Sequence, residues 1–191
     1  MNVVDKIKEI GITEGEEKYD QETFSKVEKQ LDIIFPSTYV QLLTALSDFK
    51  FAVSTNVKSL QPIPGITIEN NLVPLGNFLT LNEGKNSLMR IKEMYNEQIP
   101  TQFIPFAFGE SGDLIGFNFH DKISYEVSYW FHEAEEGNDI FKIADNFESL
   151  VQATLAYKPD ITREEMDKVK HQGPSPKMIE LLKKTGKWKG Q

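Results

Sequence analysis

The side chains of this sequence that could do chemistry are three histidines and a set of carboxylates. The histidines are His120, His132 and His171, and two of them directly precede an acid, in His120-Asp121 and His132-Glu133. Neighbouring residues of a strand point to opposite faces, so neither pair converges on one metal ion as helical ligands spaced i, i+4 would. The pattern favours solvated or hydrogen-bonded histidines and predicts no metal site.

A serine between glycines, in Gly109-Glu110-Ser111-Gly112, is the nearest approach to a nucleophile motif. It lacks the G-x-S-x-G spacing of a nucleophile elbow, and it stands between two apolar runs rather than before a helix. No glycine-rich phosphate loop occurs in a strand–loop–helix context. The chain contains no cysteine, which excludes disulfides and thiolate chemistry. These features predict a protein that is not an enzyme, has no catalytic residues and holds no cofactor.

Acidic residues gather in two segments that flank the most strand-like part of the chain. Glu110 and Asp113 belong to the glycine-containing turn, and Glu133, Glu135, Glu136 and Asp139 follow an apolar run. The second group fits either a solvated loop or a recognition surface for a basic partner. The candidate partner-binding residues are Glu110, Asp113, Glu133, Glu135 and Glu136.

The formal net charge of −8 is unevenly distributed. Residues 168–191 hold seven lysines and one glutamate, hence +6, which leaves −14 for residues 1–167. An acidic body repels phosphate groups, so we expect no nucleic-acid binding by it, whereas encounter with a basic protein is favoured. The basic tail fits a nucleic-acid patch less well than a solvated helical face.

The amino terminus has charges among its apolar residues and lacks the uninterrupted apolar core of a signal peptide. No stretch approaches about 18 apolar residues, so no membrane-spanning helix is expected. Together with the absence of cysteine, this predicts a cytoplasmic protein that does not bind a membrane. The oligomeric state stays open.

Apolar periodicity and turn residues predict an α+β fold with a mostly antiparallel sheet. Helices are expected over 20–31, 36–47, 86–97 and 145–157, the last with a capping box of Asp145 and Glu148 and with Leu155 on its buried face. Strands are expected over 66–68, 103–108, 113–119, 124–131 and 140–143, and the stretch 48–76 is otherwise predicted to be irregular. Leu43, Phe106 and Trp130 are expected in the core.

The chain is predicted to contain a main domain over 1–159 and a helical, basic extension over 160–191. In the extension, Thr162 and Glu165 form a capping-box pattern, and Ser175-Pro176 can begin a last helix.

Four segments, in this order, resemble the SUKH superfamily of immunity proteins. They are residues 27–43 with Phe35-Pro36 before Tyr39, residues 103–107 followed by Gly112-Asp113, residues 127–133 with Trp130-Phe131-His132-Glu133, and residues 143–150. The resemblance covers about residues 20 to 157. The chain departs from the pattern at Ser47-Asp48-Phe49-Lys50-Phe51, where the family commonly has a glycine-rich turn, and at Asn118, where an aspartate is frequent.

Membership would imply a SUKH-like α+β fold and a protein that neutralises a toxin by binding it, usually beside the toxin's active site. Many such toxins are nucleases, whose basic substrate channels would complement the acidic body. The resemblance therefore predicts a non-enzymatic immunity protein with a basic protein toxin as partner. The alternatives are a regulatory or scaffolding module of the same fold and, from another class, a hydrolase with unrecognised paired carboxylates.

Overall fold

A computed structural model of the protein describes residues 1–15, 18–67, 69–135 and 137–157, together with 179–180 and 183–184. Met1–Tyr157 form a compact unit. The four described residues beyond it are helical, and Lys184 lies 3.7 Å from Glu180. The rest of the predicted basic extension, including both of its helix starts, lies outside the described residues. The division into domains 1–159 and 160–191 therefore stays a prediction.

Five α-helices and nine β-strands make up the described part of Met1–Tyr157. The helices are α1 Val3–Ile10, α2 Gln21–Leu31, α3 Ser37–Leu46, α4 Leu88–Met94 and α5 Phe147–Gln152. The strands are β1 Ile12–Thr13, β2 Lys50–Phe51, β3 Thr55–Lys58, β4 Leu72–Pro74, β5 Phe103–Phe108, β6 Leu114–Phe119, β7 Tyr125–Trp130, β8 Ile140–Ala144 and β9 Thr154–Ala156. The fold is α+β with antiparallel sheets, as predicted.

The larger sheet has the strand order β5-β6-β7-β8, and every neighbouring pair is antiparallel. Its strands are those predicted near 103–108, 113–119, 124–131 and 140–143, with ends that differ by one residue at most. The connections 109–113, 120–124 and 131–139 are too short to cross the sheet, which is why the chain order and the sheet order agree. The glycine-containing segment 109–113 is the predicted hairpin turn between β5 and β6.

The three-stranded sheet, β4-β3-β9, was not predicted, and neither was the two-stranded pairing of β1 with β2. Strands β3 and β4 of the three-stranded sheet lie in the stretch 48–76, which was expected to be irregular. Its third strand, β9, occupies the end of the helix predicted over 145–157. The strand predicted over 66–68 is also wrong, because Ile66 and Thr67 lie in a turn in which both backbone N–H groups donate to the Ile63 carbonyl. Ile68 lies outside the described residues.

Side-chain caps fix where the helices begin. Asp20 accepts from the Thr23 N–H at 2.9 Å and starts α2 as predicted. In α5 the cap is Asn146, which accepts from the Ser149 N–H at 2.8 Å, so the expected capping box of Asp145 and Glu148 is wrong. Asp145 instead forms an ion pair of 2.8 Å with Lys142.

Two further corrections concern helix ends. Helix α4 is shorter at both ends than the predicted 86–97. It begins after its cap residue, Ser87, and ends at Met94. Helix α5 ends at Gln152 because the following residues pair with β3 as β9, with Leu155 opposite Asn56. Leu155 is 44% exposed and does not join the core.

Aromatic rings fill the space between the larger sheet and the helices. Tyr39 of α3 lies 5.2 Å from Phe117, Phe117 lies 4.5 Å from Phe106, and Phe106 lies 5.5 Å from Phe147 of α5, measured between ring centroids. Such tilted and edge-on contacts add to the free energy of burial. The predicted core residues Leu43, Phe106 and Trp130 are all buried.

Candidate partner-binding site

The predicted site lies at one end of the larger sheet, where the 109–113 turn and the loop over 131–139 meet. Leu114 at the start of β6 pairs with Trp130 at the end of β7. Because the strands are antiparallel, the turn before β6 and the loop after β7 are neighbours. The fold thus brings the two predicted acidic segments to the same edge.

Asp113 ties these two segments together from the inside. Its Oδ2 accepts a hydrogen bond from the Tyr129 hydroxyl at 2.7 Å. Its Oδ1 accepts from the His132 backbone N–H at 3.1 Å and lies 2.5 Å from His132 Nδ1. Asp113 is 1% exposed, so it differs from the surface carboxylate that the sequence suggested. We call this arrangement of Asp113, Tyr129 and His132 the Asp113 clamp.

Tyr129 also binds the beginning of the 109–113 turn, the turn that ends at Asp113. Its hydroxyl oxygen accepts from the Glu110 N–H at 3.0 Å while its proton goes to Asp113. Burial, followed by the hydrogen bond to Asp113, raises the pKa of Tyr129 above the ordinary value for tyrosine. The Tyr129 hydroxyl therefore stays protonated, and remains a donor, to a higher pH than the hydroxyl of an ordinary tyrosine.

Gly109 makes room for this hydroxyl. A side-chain carbon at position 109 would stand 2.7 Å from the Tyr129 oxygen and 2.8 Å from the ring carbon that bears it. Any residue other than glycine would push the tyrosine away from Asp113. The glycine recognised in the sequence as a turn residue is therefore also a packing requirement of the clamp.

Asp139 closes the second loop. Its Oδ2 accepts from Trp130 Nε1 at 2.8 Å, and its backbone carbonyl accepts from the Phe131 N–H at 2.9 Å. Asp139 is 8% exposed, so this member of the acidic run is structural. Sequence reasoning missed Tyr129 and His132 as partners of Asp113, and Trp130 as the partner of Asp139, because these pairings depend on the strand register.

The remaining candidates are at the surface. Glu133 has a side chain that is 72% exposed and lies 3.9 Å from His132 Nε2. Glu135 is exposed and borders, with Glu133, a hollow of about 600 Å³ that is lined by Phe131 and Phe141. Glu110 is exposed and lines a separate cleft. Glu136 lies outside the described residues.

The described residues do not meet the requirements of a metal site or of a membrane-spanning helix. Within the described ranges, no three histidine, aspartate or glutamate side chains are placed to hold a metal ion together. His120 lies 4.0 Å from Glu126 and is mostly exposed. None of the helices seen in the described residues is long and apolar enough to cross a membrane.

An antiparallel sheet covered by short helices, with a buried carboxylate joining two loops at one end of the sheet, defines an α+β protein. The chain belongs to the SMI1 / KNR4 family (SUKH-1), whose family model matches residues 18–153. All four segments that carried the resemblance to the SUKH superfamily lie within this range, so that prediction is confirmed. A search of curated proteins finds no match to the chain.

Membership in this family indicates the general kind of function. Its domains are immunity-like or regulate glucan synthesis, and they are generally non-catalytic. SUKH proteins bind protein toxins, which supports a protein as the partner of this chain.

Proposed function

We propose that this chain is a non-enzymatic immunity protein that binds and neutralises a basic protein toxin. The observation that supports it best is the Asp113 clamp, which holds the loops carrying Glu110, Glu133 and Glu135 together at one edge of the sheet. Residues 1–167 carry −14, so a basic partner is attracted to this body over a distance of several ångströms.

A nuclease is the kind of toxin that this charge suits. A nuclease must bind phosphates, and its substrate channel is therefore basic. A protein that covers such a channel with carboxylates competes with the nucleic acid for the same cations. Covering the channel would neutralise the toxin without any chemistry by the immunity protein.

The five candidate residues divide into two roles in this proposal. Glu110, Glu133, Glu135 and Glu136 contact the partner, and Asp113 positions the loops from beneath. Loops that are already fixed lose less conformational entropy on binding, so preorganisation contributes to affinity even though Asp113 itself is buried.

A regulatory or scaffolding module is the second candidate function. The same family contains regulators of glucan synthesis, and residues 168–191, which carry +6, lie outside the matched range. A tail of opposite charge to the body could recruit a second, acidic protein. A scaffold would bind its partners without inhibiting a toxic activity.

The test is neutralisation of a defined toxin. The candidate is the product of a toxin gene next to the gene for this chain, purified in an inactive form for binding and in active form for inhibition. We expect an equimolar complex and loss of the toxin's activity at one equivalent of the chain. Binding without inhibition would favour the scaffold, and absence of binding would overturn the immunity function for that pair.

A further inference from the structure

A cleft of about 690 Å³ opens beside the 109–113 turn. The segment 51–56, which includes the start of strand β3, supplies one part of its lining, the segment 74–77 supplies another, and Gly109 and Glu110 supply a third. Ile66 and Tyr157 complete it. The cleft is large enough for a ligand of several residues, since ligand sites commonly measure about 300–1,000 Å³.

Asn56 lines this cleft, and its side chain, unlike its backbone on β3, makes no hydrogen bond within the described residues. Val57, the next residue on β3, is buried in the core, so strand alternation directs the Asn56 side chain to the opposite face. Asn56 is nevertheless only 6% exposed. Its side-chain N–H donors and carbonyl oxygen have no protein partner within the described residues, so a ligand in the cleft would pair with them in place of water.

The lining determines the chemistry of that ligand. A carboxamide is complementary to a peptide group, because each offers one N–H donor and one carbonyl acceptor. Glu110 is the charged side chain of the cleft, and no lysine or arginine belongs to the part of the lining that the structure describes. A cationic ligand is therefore favoured, and a nucleotide, whose base edge could also pair with Asn56, is disfavoured by its phosphates.

The cleft adjoins the rest of the candidate site across the turn over 64–66. Ile66 lines the cleft, Pro64 lines the hollow beside Glu133 and Glu135, and Gly65 lies between them, where an added side-chain carbon would stand 3.8 Å from the Phe131 ring. The turn over 64–66 thus separates two concave regions of one surface. A partner that covers the acidic loop would reach the cleft as well.

We infer that this cleft binds an extended peptide segment bearing an arginine or lysine, with a peptide group paired to Asn56 and the cation at Glu110. The inference rests on the proposed function, since the segment would belong to the basic toxin. Phe51 and Ile66 are half-buried in the cleft and would contact the aliphatic part of the basic side chain.

The probe for the test is the blocked tripeptide acetyl-Gly-Arg-Gly-amide, titrated into the ¹⁵N-labelled full chain and followed by amide chemical shifts. We expect saturable shifts at residues 51–56, 76–77 and 109–110. The same peptide with citrulline in place of arginine keeps the peptide groups and loses the charge, so it should bind about two- to fivefold more weakly. Absence of saturable shifts at these amides would overturn the inference.

Two variants separate the two contacts. Asn56→Leu is nearly isosteric and should weaken both peptides by about fivefold or more, while leaving the thermal midpoint unchanged or higher. Glu110→Gln should weaken the arginine peptide and leave the citrulline peptide unaffected. Glu148→Gln, an exposed acid that does not line the cleft, is the matched control and should change neither.

Unchanged peptide affinity in Asn56→Leu would overturn the role of Asn56, and shifts spread over the whole acidic surface would indicate charge attraction alone. If Asn56→Leu fails to fold, Asn56→Ser tests the same loss of the amide. The peptide assay contains no toxin, so its failure leaves neutralisation to be judged separately. If the chain binds the peptide but neutralises no toxin, the peptide site in the cleft is supported and the proposed immunity function is overturned.

Discussion

Asp113 joins three hydrogen-bonding groups in a position almost without solvent, so its replacement has a defined cost. Asp113→Asn puts an amide donor where the carboxylate accepted, and one neighbouring donor then loses its partner. We expect the free energy of unfolding to fall by about 1–3 kcal/mol in urea titrations. Asp145→Asn, at a mostly exposed position, is the control and should change it by less than about 0.5 kcal/mol. An equal effect at both positions would contradict the clamp.

Two buried tyrosines differ in whether their hydroxyl has a partner. The Tyr129 hydroxyl donates to Asp113 and accepts from the Glu110 N–H, whereas the Tyr39 hydroxyl has no partner among the described residues. Tyr129→Phe should lower the free energy of unfolding by about 1–3 kcal/mol, and Tyr39→Phe should leave it unchanged or raise it by about 1 kcal/mol. Thermal or urea denaturation of the pair checks this. A large loss of unfolding free energy in Tyr39→Phe would mean that the Tyr39 hydroxyl does have a hydrogen-bond partner.

Leu43 tests the apolar stripe of α3 that was recognised from the sequence. The side chain is 1% exposed and packs in the core, so Leu43→Ala should lower the free energy of unfolding by about 2–5 kcal/mol. Leu60→Ala removes the same atoms at a position that is 58% exposed and should cost less than about 0.5 kcal/mol. Similar losses in the two variants would show that the stripe had been misassigned.

At the scale of elements, the N-cap of helix α5 is Asn146, one residue later than the predicted Asp145. Asn146 caps it through the Ser149 N–H, so Asn146→Ala should lower the free energy of unfolding by about 1 kcal/mol. Asp145→Ala removes only a largely exposed ion pair and should cost less than about 0.5 kcal/mol. Equilibrium unfolding of both variants distinguishes the caps, and the reverse order of effects would restore Asp145 as the cap.

The elements that could be predicted are those with a strong pattern. Strands β5 to β8 are apolar and end at turns, and α2 and α3 each have one apolar stripe, so their positions follow from local sequence. Strand β3 reads Thr-Asn-Val-Lys and contributes one fully buried apolar residue, Val57. Such a strand exists because β4 and β9 pair with it, and that pairing is not encoded locally.

The candidate site was predictable in the same uneven way. Glycines and acids at 109–113 and 131–139 indicated two loops, and antiparallel order implied that the loops meet. Which carboxylates turn inward could not be predicted, because burial of Asp113 and Asp139 depends on the register that brings Tyr129 and Trp130 alongside. Asn56 was missed because it lies on the strand that the pattern did not indicate.

At the scale of the whole molecule, the charge distribution governs encounter more than stability. Reversing Glu133, Glu135 and Glu136 to Lys should slow association with the basic toxin about tenfold or more at low salt, with the thermal midpoint nearly unchanged. The difference from the unaltered protein should shrink as salt is added. Stopped-flow or surface-based association rates measure this.

The matched control reverses three exposed acids on the helices, Glu9, Glu22 and Glu148, and changes the net charge by the same amount. If the site steers the partner, this control should slow association less than the loop variant does. Equal slowing would mean that total charge alone governs encounter. An unaltered rate in the loop variant would assign the 131–139 loop to ordinary solvated surface.

Gly109, lying directly against the Tyr129 hydroxyl, also has a consequence for how this protein could diversify. The Asp113 clamp is internal, while Glu110, Glu133 and Glu135 are exposed and share none of its hydrogen bonds except through the backbone N–H of Glu110. Recognition and foldability are therefore separable, much as hypervariable loops are separable from an antibody framework. Libraries randomised at 133–135 and at the side chain of 110 should yield mostly folded proteins, whereas libraries that include 109 or 113 should not.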